Sequence, residues 1–226
     1  MKKLLFWMVL IVGIVALIGS CAKKDDSTAA TAAADNTTST DNTTSTTSYI
    51  STTTTASGSI TMGDDTLSGV YASECLTSAS LIAIFVNANV WPSEVKAYGN
   101  VFVVTGSDNI SIELYTFTDT SCSTSSVSYK TVSDNVTVGS ASGSNYPVTY
   151  NNQTQALTVH TTAAETALET LYSNALDFIV GTPIELPVSG SGLKYGLWTL
   201  SGTTWYEASS SSATPTSAGT VPHVKQ

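Results

Sequence analysis

Between Leu67 and Ser209 the chain repeats one unit: a short run of β-branched, aromatic and aliphatic residues, then a break of Gly, Ser, Asp or Asn. LSGVYAS (67–73), NVFVVTG (100–106), ISIELYTFT (110–118), SVSYKTV (126–132) and NVTVGSA (135–141) each read as a strand, as do YPVTY (146–150), QALTVHT (155–161), GLWTLS (196–201) and TTWYEAS (203–209). The breaks Gly106-Ser107-Asp108-Asn109, Ser133-Asp134, Asn151-Asn152 and Gly202 supply turn chemistry. LIAIFVNANV (81–90) is apolar on both alternating faces, which predicts a further strand covered on both sides. Spacing of this kind reads as an antiparallel meander of about nine strands. Such a sheet buries its apolar face either by closing into a barrel or by stacking as a sandwich.

One segment breaks the pattern. Thr162-Ala163-Ala164-Glu165 matches the capping box, and apolar residues follow at Ala164, Ala167, Leu168, Leu171, Tyr172, Ala175, Leu176 and Ile179. Glu165, Glu169, Ser173 and Asp177 take the opposite side, and Gly181 and Pro183 offer a stop. The spacing predicts one amphipathic helix over about 162–180, packed on the sheet, with the 81–90 run as its partner.

The N-terminus addresses location. Lys2 and Lys3 precede an uncharged apolar run from Leu4 to Gly19, sixteen residues. A permanent membrane helix needs about 20, so the run fits the core of a secretory signal, residues 1–20. Ile18-Gly19-Ser20-Cys21 then resembles the lipobox of bacterial lipoproteins. That resemblance implies that Cys21 becomes the mature N-terminus and carries a diacylglycerol on sulfur and an acyl group on its amine, a stable membrane anchor. Ala22 stands where an aspartate would resemble an inner-membrane retention signal, so the expectation leans to the outer membrane of a bacterial cell envelope.

Residues 21–59 read as a lipidated cysteine followed by a disordered tether. Twenty of the thirty-three residues over 27–59 are Ser or Thr, and DNTTST occurs twice in tandem at 35–40 and 41–46. The domain is then expected over 60–209, with 210–226 as a disordered tail. The chain has no Arg; over 58–208 three lysines face thirteen acids, a net −10. Such a surface repels nucleic acid and anionic lipid headgroups. With Cys21 lipidated, Cys75 and Cys122 form an even pair that reads as a disulfide in an exported protein.

The order of strands with one late helix resembles a lipocalin-like barrel over about 65–208. Leu67-Ser68-Gly69-Val70-Tyr71 is similar to the lipocalin opening G-x-W, with Tyr71 in the tryptophan's place. Small bacterial lipoproteins of this kind pair a first-strand cysteine with one after a Y-x-x-x-D-x-x-C stretch, here Tyr115 to Cys122. The family's arginine over the opening aromatic has no counterpart in a chain without Arg.

Catalytic chemistry is sparse. A nucleophilic triad needs a Ser or Cys beside an oriented base. The histidines are His160, read as a rim or capping residue, and His223, in the expected tail. Two histidines and a disulfide cannot supply a four-ligand zinc site, and the Asp- and Asn-bearing turns lack calcium-loop spacing, so no metal and no cofactor is expected. Glu113 falls inside a predicted strand on the same face as Tyr115 and Phe117. It reads as a polar anchor within a barrel cavity or as an acid on the wet side of the strand. Trp198 and Trp205 fall in adjacent strands, as a cross-strand pair or as part of a pocket. The sequence thus leads to a lipid-anchored, non-catalytic barrel that binds a small apolar or amphipathic ligand. The alternative is a surface structural or adhesion lipoprotein that meets an envelope or host surface partner through its exterior.

Overall fold

The structure, a computed structural model, describes residues 48–188 and 192–226. The expected signal peptide, Cys21 and the first part of the tether lie outside the described residues. The elements are β1 (Ile60–Met62), β2 (Asp65–Leu67), β3 (Val70–Ala72), α1 (Ala79–Asn87), β4 (Ala97–Val104), β5 (Ile110–Phe117), β6 (Ser125–Val138), β7 (Asn145–Val159), α2 (Thr162–Leu171), β8 (Pro183–Leu186), β9 (Leu193–Ser201), β10 (Thr204–Ser210) and β11 (His223–Lys225).

Strands pair antiparallel in the order β6-β5-β4-β3-β11-β10-β9-β7, and β6 also pairs with β7, so eight strands close into a lipocalin-like barrel. Closure rules out the sandwich. β8 is an extra strand on the upper half of β7, where Gln155–Thr158 pair with Leu186–Pro183. Eight strands leave an interior that side chains just fill, or one small ligand occupies.

Where the sequence suggested two turns, the structure has two bulges. β6 and β7 are single long strands, and their register shifts between Val132 and Ser133 and again between Asp134 and Thr137. Asn135 there has φ 52°, a conformation Asn tolerates better than most residues. Ser133-Asp134 and Asn151-Asn152 face each other across the ladder, so turn-forming residues in both strands bend the hairpin instead of ending it. Gly202, at φ 59°, does make the tight turn that joins β9 to β10.

The 81–90 run is a helix for most of its length, not a strand. Short apolar runs fit either period, and here Ile82 and Phe85 turn inward while Ile84 stays 61% exposed. Asn89, at φ 55°, ends α1. α2 is shorter than expected. Its cap is Thr161, whose side chain accepts from the Ala164 amide, and Ser173 and Asn174, both at positive φ, stop it well before Gly181. It packs with Val127, Leu157 and Val159 of β6 and β7, not with 81–90.

Two further boundaries move. The last part of the expected tether is ordered: Ile50 is buried, its amide donates to Ser73 O, and the Ser57 amide donates to Val104 O. The expected tail is also part of the barrel. β11 fills the gap between β10 and β3, pairing Trp205 with His223 and Ala72 with Val224. It also brings the Lys225 ammonium 6.0 Å from the Tyr71 ring centre, so a cation does cover the opening aromatic. The Cys75–Cys122 disulfide is present, with 5.8 Å between Cα atoms.

The two barrel ends differ. At one, Ile60, Met62 and Leu67 of the β1–β2 hairpin pack on Val104, Ile110, Val136 and Tyr146 and plug the interior. At the other, α1 and the loop after it pack Phe85, Val90 and Trp91 over Tyr98 and Leu114.

Candidate functional site

Between these two plugs the barrel is incompletely filled. A cavity of about 130 Å3 lies under the α1 end. Val90 and Trp91 roof it, and Phe102, Ile112, Leu114 and Tyr129 form an apolar wall. Ser211, exposed, marks where it meets solvent. The roof is held in place by Phe85 and Tyr98, whose rings flank Trp91 at 4.5 and 5.4 Å. The loop carrying it is tied to the α2 cap, because the Glu94 carboxylate accepts from Ser126 (2.6 Å) and from Thr161.

Set into the apolar wall are polar groups that lack partners. Glu207 follows Trp205 by two residues on β10 and shares its inward face. Its Oε1 is buried with no hydrogen-bond partner. The accessible surface Glu207 retains belongs to a residue that lines the cavity, and the carboxyl lies deep in the protein. Burial pushes it up to about 7, against a smaller opposing contribution from the Ser209 hydroxyl. Tyr150, beside it, is raised by burial and then by the Glu207 charge.

His223 comes from β11. Its Nδ1 lies 3.3 Å from Trp205 O, and since a carbonyl only accepts, Nδ1 carries the proton. Nε2 is therefore a bare acceptor, buried and unpartnered. Burial depresses His223 to about 4, so it stays neutral at ordinary pH. Lys194, on β9, is 9% exposed and lines the same cavity with Asn152 and Gln155. Burial lowers its pKa. Its ammonium makes no hydrogen bond or ion pair among the described residues; the ion pair found there joins Lys130 to Glu113 instead.

The five residues singled out from the sequence as a pocket do not line this cavity. Trp198 and Trp205 are inside the barrel, edge-to-face at 4.9 Å, but belong to the packed core below it, with both indole N–H groups unpaired. Glu113, Tyr115 and Phe117 face outward, because their neighbours Ile112 and Leu114 take the inward face of β5. Glu113 is nonetheless 2% exposed, since the segment before the barrel covers it. It accepts from Thr52 (2.6 Å), Thr54, Ser111 (3.0 Å) and Tyr115 (2.7 Å), and Lys130 lies 3.7 Å away. Burial alone would raise its pKa; the four donors together outweigh that and hold it below the usual carboxylate value. The carboxylate is fully partnered and latches residues 52–54 to the barrel wall.

His160 Nε2 meets Ser128 Oγ at 2.9 Å on the exposed rim. The described hydrogen bonds give its other ring nitrogen no acid to orient it, as a catalytic dyad would need. The groups the sequence reading passed over are Glu207, Lys194 and His223. The alternation Trp205-x-Glu207 carried the signal for Glu207, since residues two apart share a face. Nothing comparable marks His223, in a three-residue strand. Compared with known protein-family models and with curated proteins, the sequence matches none.

Proposed function

We propose that this chain is a lipid-anchored lipoprotein of the bacterial envelope whose barrel binds a small amphipathic ligand and performs no catalysis. One observation carries the ligand reading: a cavity at the α1 end of the barrel that is apolar in its walls yet holds buried, unpartnered polar groups. Buried polar atoms are ordinarily satisfied, and leaving one bare costs about 1–3 kcal/mol. A ligand that pairs with them removes that penalty. The size argues for a small occupant, since a closed apolar cavity of about 150 Å3 holds a benzene ring and this one measures about 130 Å3. The lipobox resemblance at Cys21 supports the anchor.

Native mass spectrometry of protein isolated from its own envelope tests the ligand reading. The expected result is a small-molecule adduct that disappears in Ile112→Trp, which fills the cavity. A bare wild-type protein would count against it. Intact-mass measurement tests the anchor: chain starting at Cys21 with added acyl mass is expected, and an unmodified Cys21 would refute it.

A second reading, interaction through the exterior, draws on Ile84, Ile179 and Val180, which are exposed large apolar residues. Protease treatment of intact cells checks it. Cleavage of the domain is expected if it is displayed outside, and full protection would exclude that.

A further inference from the structure

We infer that the ligand is a small dipolar molecule, with a cationic hydrogen-bond donor at one end, an anionic group at the other and an apolar stretch between. This rests on the reading of the cavity as a ligand site and specifies the ligand's chemistry.

The deep end presents acceptors. Glu207 Oε1 and His223 Nε2 are both buried, both without a donor, and both belong to residues that line the cavity. His223 cannot switch to donating there while its Nδ1 proton is held by Trp205 O. The Ser209 hydroxyl bears on the Glu207 carboxyl, yet Oε1 and Nε2 themselves stay unpaired; two unpaired acceptors make a receptor for an ammonium or a similar N–H group. The other end presents Lys194, a donor without an acceptor among the described residues, in a lining that also holds the amides of Asn152 and Gln155. Glu207 and Lys194 make no ion pair with each other. The register explains why. Glu207 is opposite Trp198 on β9, four residues from Lys194, so their Cα positions are about 13 Å apart along the strands. A molecule that reaches both must be elongated. The same lining includes Phe102, Ile112 and Leu114, which offer nothing polar.

A purely apolar ligand would leave both poles bare. A fatty acid would satisfy Lys194 and leave Glu207 and His223 facing hydrocarbon. A simple amine would do the reverse. A dipolar chain satisfies both ends.

The test is calorimetric titration of the full chain with 6-aminohexanoate, hexylamine, hexanoate and hexan-1-ol. These four share one chain length and differ in which poles they can pair. Binding of 6-aminohexanoate at least about tenfold tighter than hexylamine or hexanoate is expected. Glu207→Gln should reduce it to the affinity of hexanoate, and Lys194→Met to that of hexylamine, each leaving the matching one-ended probe unchanged. Circular dichroism of the variants confirms folding, and the wild-type ranking needs no variant. If hexan-1-ol or a one-ended probe binds as tightly as 6-aminohexanoate, the dipolar assignment is overturned while the cavity remains a ligand site. If no probe binds, hexan-1-ol included, both readings fall.

Discussion

Replacing Glu207 by Gln should make the domain more stable at pH 8 and leave it nearly unchanged at pH 5. The carboxyl is raised from the ordinary 4.5 to about 7, chiefly by burial. A folded-state pKa above the unfolded one means the folded form prefers the protonated acid. Its contribution is fully present below about pH 4 and is lost as pH rises through 7. Integrated over that gap, the ionised side chain costs the wild type about 3 kcal/mol at pH 8. Gln has the same shape and no charge to bury, so the variant avoids the loss. The other titrating groups that face Glu207 across the cavity, His223, Lys194 and Tyr150, are present in both proteins and largely cancel in the difference. Urea denaturation of both proteins at pH 5, 6, 7 and 8 reads the effect directly. In thermal terms the gain at pH 8 corresponds to about 6–12 °C for a domain of this size. A wild-type-minus-variant difference that stays flat across this range would show that Glu207 is solvated in the folded state, and the cavity argument would lose its deepest pole.

Glu113 should show the opposite sign. Its pKa is held low in the folded state, so the stability it confers is present above about pH 5 and lost as pH falls through its folded value. Glu113→Ala, which leaves Thr52 and Thr54 without their acceptor, is expected to cost about 2–3 kcal/mol and to remove hydrogen-exchange protection from the Ser57 amide. Truncation after Pro222 deletes β11 and bares the edges of β3 and β10; loss of the near-ultraviolet aromatic signal and appearance of dimers or larger species on size exclusion are the expected results. Replacing both Cys75 and Cys122 by Ser removes a link across 47 positions and should lower stability by about 4 kcal/mol on the chain-entropy argument, read as a lower urea midpoint.

What the sequence made legible was the period, and what it concealed was continuity. Alternating residues located β4, β5, β9 and β10 closely, because each is bounded by a real turn. The same turn chemistry misled at Ser133-Asp134 and Asn151-Asn152. A bulge and a turn ask for the same residues, and only the partner strand decides between them. The 81–90 run was ambiguous for a different reason: a helix lying across a barrel mouth meets apolar neighbours on one side, and its outer face kept Ile84 rather than a charge. β11 was out of reach of any local reading. Three residues carry no period, and their place between β3 and β10 is set by the gap in the barrel wall rather than by their own propensity.

That late strand also accounts for how the site is assembled. β11 supplies His223 to the cavity, and β10, the strand it pairs with, supplies Glu207, so the seam that closes the barrel is also where the unpartnered acceptors lie. An acid and an imidazole at such a seam are only half satisfied: Glu207 Oε1 and His223 Nε2 are buried without a partner. Elsewhere the same chain does satisfy a buried acid, giving Glu113 four donors. The contrast is internal to one molecule and one solvent. Where fold stability alone sets the arrangement, as at Glu113, the carboxylate is surrounded by hydroxyls. Where one carboxylate oxygen is left unpaired beside a space of about 130 Å3, as at Glu207, the missing donor is what the ligand proposed above would bring.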